Sequence, residues 1–208
     1  MIKSILLIIT GGIAAYKSLE LIRKLKERNI DVTCVLTKSG SEFVTPLSVA
    51  SLSGNHVFSE LFNLTDENKM GHIELSRSTD LVLVAPATTN IISKMAYGSC
   101  DDLASTILMA TNKPVMVVPA MNVRMWHNAA TQRNILTLID DGIRFIGPNK
   151  GDMACGEYGL GRMSEPQEII NSIIEYDNSL IHQPLKSFSA FVTAGPTREK
   201  IDPVRFIS

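Results

Sequence analysis

The chain has 208 residues, enough for one domain with a substantial buried core and part of a second. Hydrophobic residues make up 45% of it and charged residues 20%, which are ordinary globular values and exclude intrinsic disorder. Lys and Arg total 20 against 21 Asp and Glu, a net charge of -1, so no bulk positive field recruits nucleic acid or an anionic membrane.

Targeting segments and metal sites are not indicated. The longest aliphatic run, residues 5–9, is far shorter than the roughly 20 apolar residues of a membrane-spanning helix. No signal-peptide cleavage pattern follows it, so we expect a soluble, cytoplasmic protein. The three cysteines, Cys34, Cys100 and Cys155, are odd in number and show no C-x-x-C spacing. This argues against a disulfide framework and a zinc site, and leaves at least one thiol free.

Short apolar runs alternate with helical patterns along most of the chain. Such alternation is typical of a parallel sheet covered by helices on both faces. The predicted fold class is therefore α/β, a doubly wound parallel sheet of the flavodoxin or Rossmann type in a single main domain. The predicted strands are residues 4–9, 32–37, 81–85, 115–118 and 144–146. The predicted helices are residues 13–28, closed by Asn29, then 45–52, 89–97, 103–111, 128–140 and 166–176, with Pro166 in the first turn.

The C-terminal part of the chain has a different character. Residues 178–187 are polar, contain Pro184 and show no periodicity, which predicts a linker. Residues 188–193 resemble a new strand, but the 21 residues from 188 to 208 cannot bury a core alone. We therefore expect a second nucleotide-binding-type domain to begin at residue 188 and the chain to stop inside it.

In doubly wound sheets, ligands bind beyond the carboxyl ends of the strands. The first such loop reads T-G-G-I-A-A-Y-K (residues 10–17), where small residues let the backbone approach a phosphate and the helix start favours an anion. The dinucleotide fingerprint G-x-G-x-x-G and the G-x-x-x-x-G-K-[ST] phosphate loop are both absent, so a mononucleotide fits better. A tight turn without a ligand is the alternative.

Two further post-strand loops carry short polar side chains. T-K-S-G-S (residues 37–41) follows the second strand, and P-A-T-T-N (residues 86–90) follows the third. Hydroxyl and amide groups there suit hydrogen bonds to a ribityl chain and a ring. The alternative is that these serines and threonines only cap helices.

The loop after the fourth strand, P-A-M-N-V-R-M-W (residues 119–126), places a neutral amide at the expected ligand edge. Asn122 is our candidate for ligand contact. The structural alternative is that Asn122 caps the next helix while Met121, Met125 and Trp126 pack against it.

Residues 151–163 contain four glycines and fit neither a helical nor a strand pattern, which predicts a mobile flap carrying a thiol, Cys155, and a cation, Arg162. A surface loop without function is the alternative. His72 precedes the third strand at the start of a predicted helix. A lone histidine is more often structural than catalytic, and His56, His127 and His182 are weaker candidates still.

Together T-G-G-I-A-A-Y-K, G-H-I-x-L, P-A-T-T-N, P-A-M-N-V-R-M-W and A-C-G-x-x-G-x-G-R-M resemble the flavin-dependent cysteine decarboxylase family over residues 3–177. Within it the chain is similar to the members that act in coenzyme A biosynthesis. The tail V-T-A-G-P-T-R-E-K-I-D-P-V-R-F-I-S resembles the opening of a phosphopantothenate–cysteine ligase domain, which bifunctional bacterial enzymes fuse behind the decarboxylase. The resemblance implies an FMN-binding decarboxylase domain at residues 1–177, a linker at 178–187 and the truncated start of a ligase domain at 188–208. Because almost all of the ligase domain is missing, we do not predict ligase activity for these 208 residues.

The resemblance also implies a cofactor and a set of site residues. FMN is the implied cofactor and no metal is expected. The implied catalytic residues are His72, Asn122 and Cys155. The implied FMN contacts are Gly12, Ile13 and Ala14 at the phosphate, with Thr37, Ser39, Phe43, Ala87, Thr88 and Asn90 elsewhere on the cofactor. The implied substrate contacts are Met121, Asn122, Ala154 and Arg162.

The implied reaction is decarboxylation of 4′-phospho-N-pantothenoylcysteine to 4′-phosphopantetheine. In the family scheme FMN takes a hydride from the carbon beside sulfur, the resulting thioaldehyde loses carbon dioxide to give an ene-thiolate, and the hydride returns, so there is no net redox change. His72 is implied as base or electrostatic partner in the oxidation, Asn122 holds the carboxylate and Cys155 protonates the ene-thiolate.

The family also implies a homo-oligomer, a trimer or a dodecamer of trimers, with FMN at a subunit interface, and neither nucleic-acid nor membrane partners. One alternative is a peptidyl-cysteine decarboxylase of peptide-antibiotic maturation, which stops at the oxidised ene-thiol. Another is a non-catalytic flavin-binding regulatory subunit. Cys155 and the ligase-like tail argue against the first, and the lack of long acidic extensions argues against the second.

Overall fold

The structure is a computed structural model that describes residues 1–60, 72–180, 199–200 and 202–207. The chain divides into two compact units, residues 1–178 and residues 179–208. Among the described residues, no helix combines the length and the apolar composition needed to cross a bilayer.

The first unit is built on a parallel sheet of six strands. In chain order they are β1 (Ser4–Ile9), β2 (Asp31–Leu36), β3 (Val57–Phe58), β4 (Leu81–Ala87), β5 (Val115–Pro119) and β6 (Arg144–Phe145). Their spatial order is β3-β2-β1-β4-β5-β6. The predicted doubly wound α/β fold is confirmed, and each of the five predicted strands is present within two residues of its predicted ends. The two-residue edge strand β3 was not predicted.

The strand order places a topological switch point between β1 and β4. From β1 the chain proceeds to β2 and β3 on one side, whereas β4, β5 and β6 build the other side. Ile5 lies in register with Val32 on one neighbour and with Leu81 on the other, so β1 is an interior strand. Sheets of this class bind ligands in the crevice at such a point, outside the carboxyl ends of the strands.

Helices cover both faces of the sheet. They are α1 (Tyr16–Lys26), which follows a 3-10 turn at Ile13–Ala15, then α2 (Lys38–Ser41), α3 (Pro46–Ser53), α4 (His72–Leu75), α5 (Thr89–Tyr97), α6 (Leu103–Ala110), α7 (Val123–Trp126), α8 (Ala129–Asp140) and α9 (Pro166–Leu180). Asn29 ends the first helical segment in a left-handed conformation, φ 58°, and Pro166 begins α9, as predicted.

Alternate residues of each strand feed two separate cores. On one face Ile5, Leu7 and Ile9 pack with residues of α1 and α9. On the other face Leu6 and Ile8 pack with residues of α5, α6 and α8. Because a strand side chain alternates between faces, an unbroken run of apolar residues is what a strand covered on both sides requires.

The structure corrects two sequence interpretations. Residues 151–163, predicted to be a mobile flap with neither a helical nor a strand pattern, fall largely within an antiparallel hairpin of β7 (Asn149–Asp152) and β8 (Tyr158–Arg162). Glycines at three of its strand positions removed the alternating apolar signal on which strand prediction depends. The start of the predicted linker is also helical, since α9 continues to Leu180.

Of the second unit, the structure describes residues 179–180 at the end of α9, and residues 199–200 and 202–207. Within it β9 (Glu199–Lys200) pairs antiparallel with β10 (Phe206–Ile207). The Asp202 carboxylate accepts hydrogen bonds from the amides of Val204 and Arg205 at 2.9 and 2.7 Å, which closes the turn between them. The predicted strand at residues 188–193 lies outside the described residues.

Candidate functional site

A cavity of about 430 Å³ opens beyond the carboxyl ends of β1, β4 and β5. Its wall is formed by residues 11–14, 88–89, 120–122 and 152–155, with further side chains from α1 and from the end of β8. Three post-strand loops named in the sequence analysis thus meet at the switch point, and the hairpin closes the fourth side. The volume lies within the range of small-molecule sites, roughly 300–1,000 Å³.

The loop after β1 exposes backbone to this cavity. Gly12 has φ 123°, a conformation that favours glycine, and an added Cβ there would contact nothing within 4 Å. Gly11 behind it is packed tightly, because a Cβ there would lie 2.7 Å from the Cβ of Ser39. Gly12 therefore leaves open space at the start of a helical segment, whose first amides have no partner within the helix.

Two hydroxyl groups fix this loop to the end of β4. Thr10 Oγ1 donates to the carbonyl of Pro86 at 2.6 Å and accepts from the amide of Thr88 at 3.3 Å. Ser18 Oγ, one turn into α1, donates to the carbonyl of Ala85 at 2.7 Å. Thr88 Oγ1 in turn accepts from the amide of Ile91 and caps α5. The two loops are thereby held as one rigid edge.

Asn122 was considered above both as a ligand contact and as a helix cap, and its position is compatible with both. Its Oδ1 accepts a hydrogen bond from the amide of Met125 at 2.8 Å, so it caps α7. The same residue lines the cavity. Because the carbonyl oxygen of the amide is used by the cap, the NH₂ group is the part of the side chain left to bind a ligand.

The turn between β7 and β8 carries Cys155 to the cavity. The amide of Met153 donates to the carbonyl of Glu157 and the amide of Gly156 to the carbonyl of Met153, both at 2.9 Å. Cys155 is exposed and its Sγ donates to Glu157 Oε2 at 3.9 Å. Cys34, by contrast, is buried, which raises the pKa of its thiol to about 12. Of the three thiols, all free, only Cys155 lines the cavity.

The hairpin approaches the loop after β5 through its backbone. The Met121 amide donates to the carbonyl of Gly161 at 2.9 Å. Gly161 has φ 133°, and a Cβ at this position would collide with the carbonyl oxygen of Met121. A glycine is required here on both counts, which explains part of the glycine content that the sequence analysis read as mobility.

Lys17 is a cavity residue that the sequence analysis did not single out. It lies on the apolar face of α1, four residues before Leu21, and its side chain is only 7% exposed. Its Nζ donates to the carbonyl of Met163 at 3.1 Å and to Glu165 Oε1 at 2.9 Å. The sequence signal that could have identified Lys17 is its place at an apolar position of an amphipathic helix, since a buried ammonium group needs a partner.

Glu165 bridges two cations of the cavity wall. Its Oε1 accepts from Lys17 and also from Arg162 Nη2 at 2.6 Å. The hydrogen bond from Lys17, followed by smaller contributions from Arg162, holds the pKa of the Glu165 carboxyl below its usual value. Within the described residues, no group of three His, Cys, Asp or Glu side chains is placed to hold a metal ion.

The cavity brings together many of the predicted site residues. These are Gly12, Ile13, Ala14, Thr88, Met121, Asn122, Ala154, Cys155 and Arg162. Five predicted FMN contacts do not line it: Thr37, Ser39, Phe43, Ala87 and Asn90. Thr37 caps α2, Ser39 backs Gly11, Phe43 and Asn90 are exposed, and Ala87 is buried at the end of β4. His72 begins α4, but its side chain lies outside the described residues.

Comparisons with known proteins agree with this geometry. A family model described as "Flavoprotein" matches residues 1–177, and one described as "DNA/pantothenate metabolism flavoprotein C-terminal domain" matches residues 185–208. The coenzyme A biosynthesis bifunctional protein CoaBC of Haemophilus influenzae is 48% identical over 206 residues, 99% of this chain and 51% of the relative. The chain thus spans about half the length of the curated relatives it matches.

Solved structures give the same assignment. A PPC decarboxylase mutant complexed with pantothenoylaminoethenethiol is 34% identical, with a TM-score of 0.75 over 86% of this chain and 100% of the other. The FMN binding protein AtHal3 is 35% identical, with a TM-score of 0.73 over 88% of this chain and 100% of the other. On the family match, the structural likeness and the arrangement of the cavity, the chain belongs to the flavoprotein family.

Proposed function

We propose that this chain binds FMN in the cavity at the switch point and decarboxylates 4′-phospho-N-pantothenoylcysteine to 4′-phosphopantetheine in coenzyme A biosynthesis. The observation that carries the proposal is the meeting of three groups in one cavity: the open backbone at Gly12, the amide of Asn122 and the thiol of Cys155. The PPC decarboxylase and CoaBC relatives support the substrate, and the FMN binding relative supports the cofactor.

The residues present fit a flavin mononucleotide. Gly12 leaves its backbone bare at the cavity, and the segment from Ile13 to Ala14 continues into α1, where helix-start amides favour the phosphate. Thr88 and Thr89 line the same wall with hydroxyl groups that suit the ribityl chain or ring. When bound, FMN supplies the reversible two-electron oxidation without which a cysteinyl carboxylate would leave an unstabilised carbanion.

Asn122 is the group that holds the substrate carboxylate. Its Oδ1 is occupied by the α7 cap, so the NH₂ group donates to the ligand. A neutral amide is suited to this task because a cationic partner would stabilise the ground-state carboxylate, which the reaction must destroy. Met121 and Met125 beside it give that end of the cavity an apolar surface.

Cys155 is the proton donor to the ene-thiolate product of decarboxylation. It lines the cavity from the turn between β7 and β8. His72, at the start of α4, is retained as the base or electrostatic partner in the oxidation step. Thr37, Ser39, Phe43, Ala87 and Asn90 are retained as proposed FMN contacts.

The proposal includes a homo-oligomer, a trimer or a dodecamer of trimers, with FMN at a subunit interface, and a cytoplasmic location. Two large side chains at the cavity, Ile13 and Tyr16, are 60% and 58% exposed. Exposed apolar side chains grouped at a site mark contact surfaces. A second copy that covers them would also complete the FMN site.

The three candidate functions can be distinguished by the product that each would release. A peptidyl-cysteine decarboxylase would release the oxidised ene-thiol, and a regulatory flavoprotein would bind FMN without turnover. The position of Cys155 in the cavity favours return of the reaction to the saturated product. The product released from 4′-phospho-N-pantothenoylcysteine, identified by mass spectrometry, distinguishes all three.

The cofactor site can be tested by titrating FMN into the protein and following flavin fluorescence. Gly12→Asp places a carboxylate at the proposed phosphate position and should weaken binding by about tenfold or more, which is about 1.4 kcal/mol. Gly142→Asp is the matched control, because Gly142 also has positive φ, 89°, and open space within 4 Å of where a Cβ would lie, but is outside the cavity. Equal affinity of the two variants would contradict the assignment.

A further inference from the structure

We propose that Glu165 is a positioning residue that sets the tilt of the β7–β8 hairpin and so aims Cys155 into the cavity. This inference rests on the proposed function, because it concerns the group that delivers the proton. Glu165 does not line the cavity itself. It acts through Lys17 and Arg162, which do.

The first observation is that one carboxylate oxygen of Glu165 links the end of the hairpin to α1. Glu165 Oε1 lies 2.9 Å from Lys17 Nζ and 2.6 Å from Nη2 of Arg162, the last residue of β8. Lys17 also donates to the carbonyl of Met163, one residue beyond β8. The base of the hairpin is therefore held to the helix that follows the β1 loop.

The second observation is that the other strand of the hairpin is held at the same place. Asn149, the first residue of β7, donates through Nδ2 to Glu168 Oε2 at 2.6 Å. The same Glu168 oxygen accepts from the amide of Glu165 at 2.7 Å. The first residue of β7 is thus hydrogen-bonded to the first turn of α9 through Glu168. Glu165, bonded to the same Glu168 oxygen, links this point to Lys17.

The burial of Lys17 makes its ion pair with Glu165 costly to break. The Lys17 side chain is 7% exposed, whereas those of Glu165 and Arg162 are 43% and 44% exposed. A buried ammonium group without a counter-charge is costly, so Lys17 favours structures in which Glu165 stays in place. Glu165→Gln leaves Lys17 with a neutral partner and removes the charge that Arg162 shares.

A small tilt of the hairpin at its base displaces its tip, which carries Cys155, by a larger distance. The turn that carries Cys155 lies at the far end of strands of four and five residues. At about 3.3 Å per residue the tip is about 13 Å from the base, and a tilt of about 10° moves it by about 2 Å. Proton transfer tolerates much less, since a misplacement of about 1 Å can cost about a hundredfold in rate.

The first test is hydrogen exchange on the wild-type protein, Glu165→Gln and the control Glu175→Gln. Glu175 is an exposed acid on α9, the helix that begins directly after Glu165, and its substitution makes the same change in net charge. Amides of residues 150–161 should exchange at least about threefold faster in Glu165→Gln and unchanged in Glu175→Gln. Unchanged hairpin exchange in a folded Glu165→Gln would overturn the proposal.

The second test follows the products of 4′-phospho-N-pantothenoylcysteine with FMN-loaded protein. In Glu165→Gln the fraction released as ene-thiol should rise at least about fivefold, with one reduced flavin left for each ene-thiol released. A merely structural role would lower the amount of active enzyme but leave this product ratio unchanged. A wild-type product ratio in Glu165→Gln would therefore also overturn the proposal.

Glu165→Asp covers the case in which Glu165→Gln does not fold. It retains the charge but is one methylene shorter, so it cannot reach both cations as before, and it should show the same two effects to a smaller degree. Wild-type exchange and product ratio in this variant would count against the proposal. Failure of wild-type protein to decarboxylate the substrate would refute the proposed function instead, and the hydrogen-exchange result would stand separately.

Discussion

Asn122→Asp separates the two roles of this residue. Aspartate and asparagine are about equally good helix caps, and a carboxylate at a helix start is electrostatically favourable. The cap to the Met125 amide, 2.8 Å in the structure, is therefore preserved. We expect the free energy of unfolding to stay within about 0.5 kcal/mol of wild type. Only the side of Asn122 that faces the cavity changes, from an NH₂ donor to a negative charge.

The expected loss of activity follows from Coulomb repulsion. Two unit charges about 4 Å apart repel by about 4 kcal/mol at an effective dielectric constant of about 20. Each 1.36 kcal/mol of transition-state stabilisation is a factor of about ten, so kcat/KM should fall by about a thousandfold at a pH where both carboxyls are ionised. The lost hydrogen bond to the substrate carboxylate adds to this.

Asn128→Asp is the matched control for this substitution. Asn128 caps α8 by accepting from the amide of Ala130 at 2.9 Å, is exposed and does not line the cavity. Initial rates of 4′-phosphopantetheine formation should be unaffected in Asn128→Asp, and FMN titration and thermal unfolding should show both variants loaded and folded. A kcat/KM for Asn122→Asp within about threefold of wild type would refute the role assigned to Asn122.

The remaining predictions concern the hairpin, pH and the thiols. Cys155→Ser should still release carbon dioxide but give the oxidised ene-thiol and leave the flavin reduced, and mass spectrometry showing normal product at the wild-type rate would exclude Cys155 as the donor. Gly161→Ala should lower the free energy of unfolding in urea more than Gly142→Ala, because both have positive φ but only Gly161 meets a carbonyl oxygen; equal losses would contradict this. The lowered pKa of Glu165 implies stability that is present above the unfolded-state pKa and lost as pH falls through the folded value. The free energy of unfolding of Glu165→Gln should therefore fall less than that of wild type on acidification below pH about 4.5. Equal decreases in the two proteins would contradict this prediction. Iodoacetamide at pH about 8 should label Cys100 and Cys155 but spare Cys34, whose burial raises its pKa to about 12, unless the protein unfolds; labelling of Cys34 at a comparable rate would be inconsistent with its burial.

The central fold could be predicted because its signals are local. Residues 5–9 form an apolar run whose members alternate between the two cores, and this is visible in the sequence as an unbroken strand-length segment. The ligand edge followed from a general property of such sheets, so the loops at Gly12, Thr88 and Asn122 could be placed together before any geometry was known.

The hairpin could not be predicted because its stability is not local. Gly161 accepts a hydrogen bond from the Met121 amide and has no room for a Cβ beside the Met121 carbonyl, and nothing in residues 151–163 encodes that contact. The same holds for Lys17 and Glu165, which lie 148 positions apart and form one ion pair. An isolated lysine at an apolar helix position indicates that a partner exists but does not identify it.

Decarboxylation without net oxidation can be measured as carbon dioxide release from 4′-phospho-N-pantothenoylcysteine by FMN-loaded protein under anaerobic conditions, with no added electron acceptor. We expect many turnovers, with one carbon dioxide released for each 4′-phosphopantetheine formed, because the electrons taken from the substrate are returned to it. A folded protein that binds FMN but releases no carbon dioxide from this substrate would refute the proposed decarboxylation.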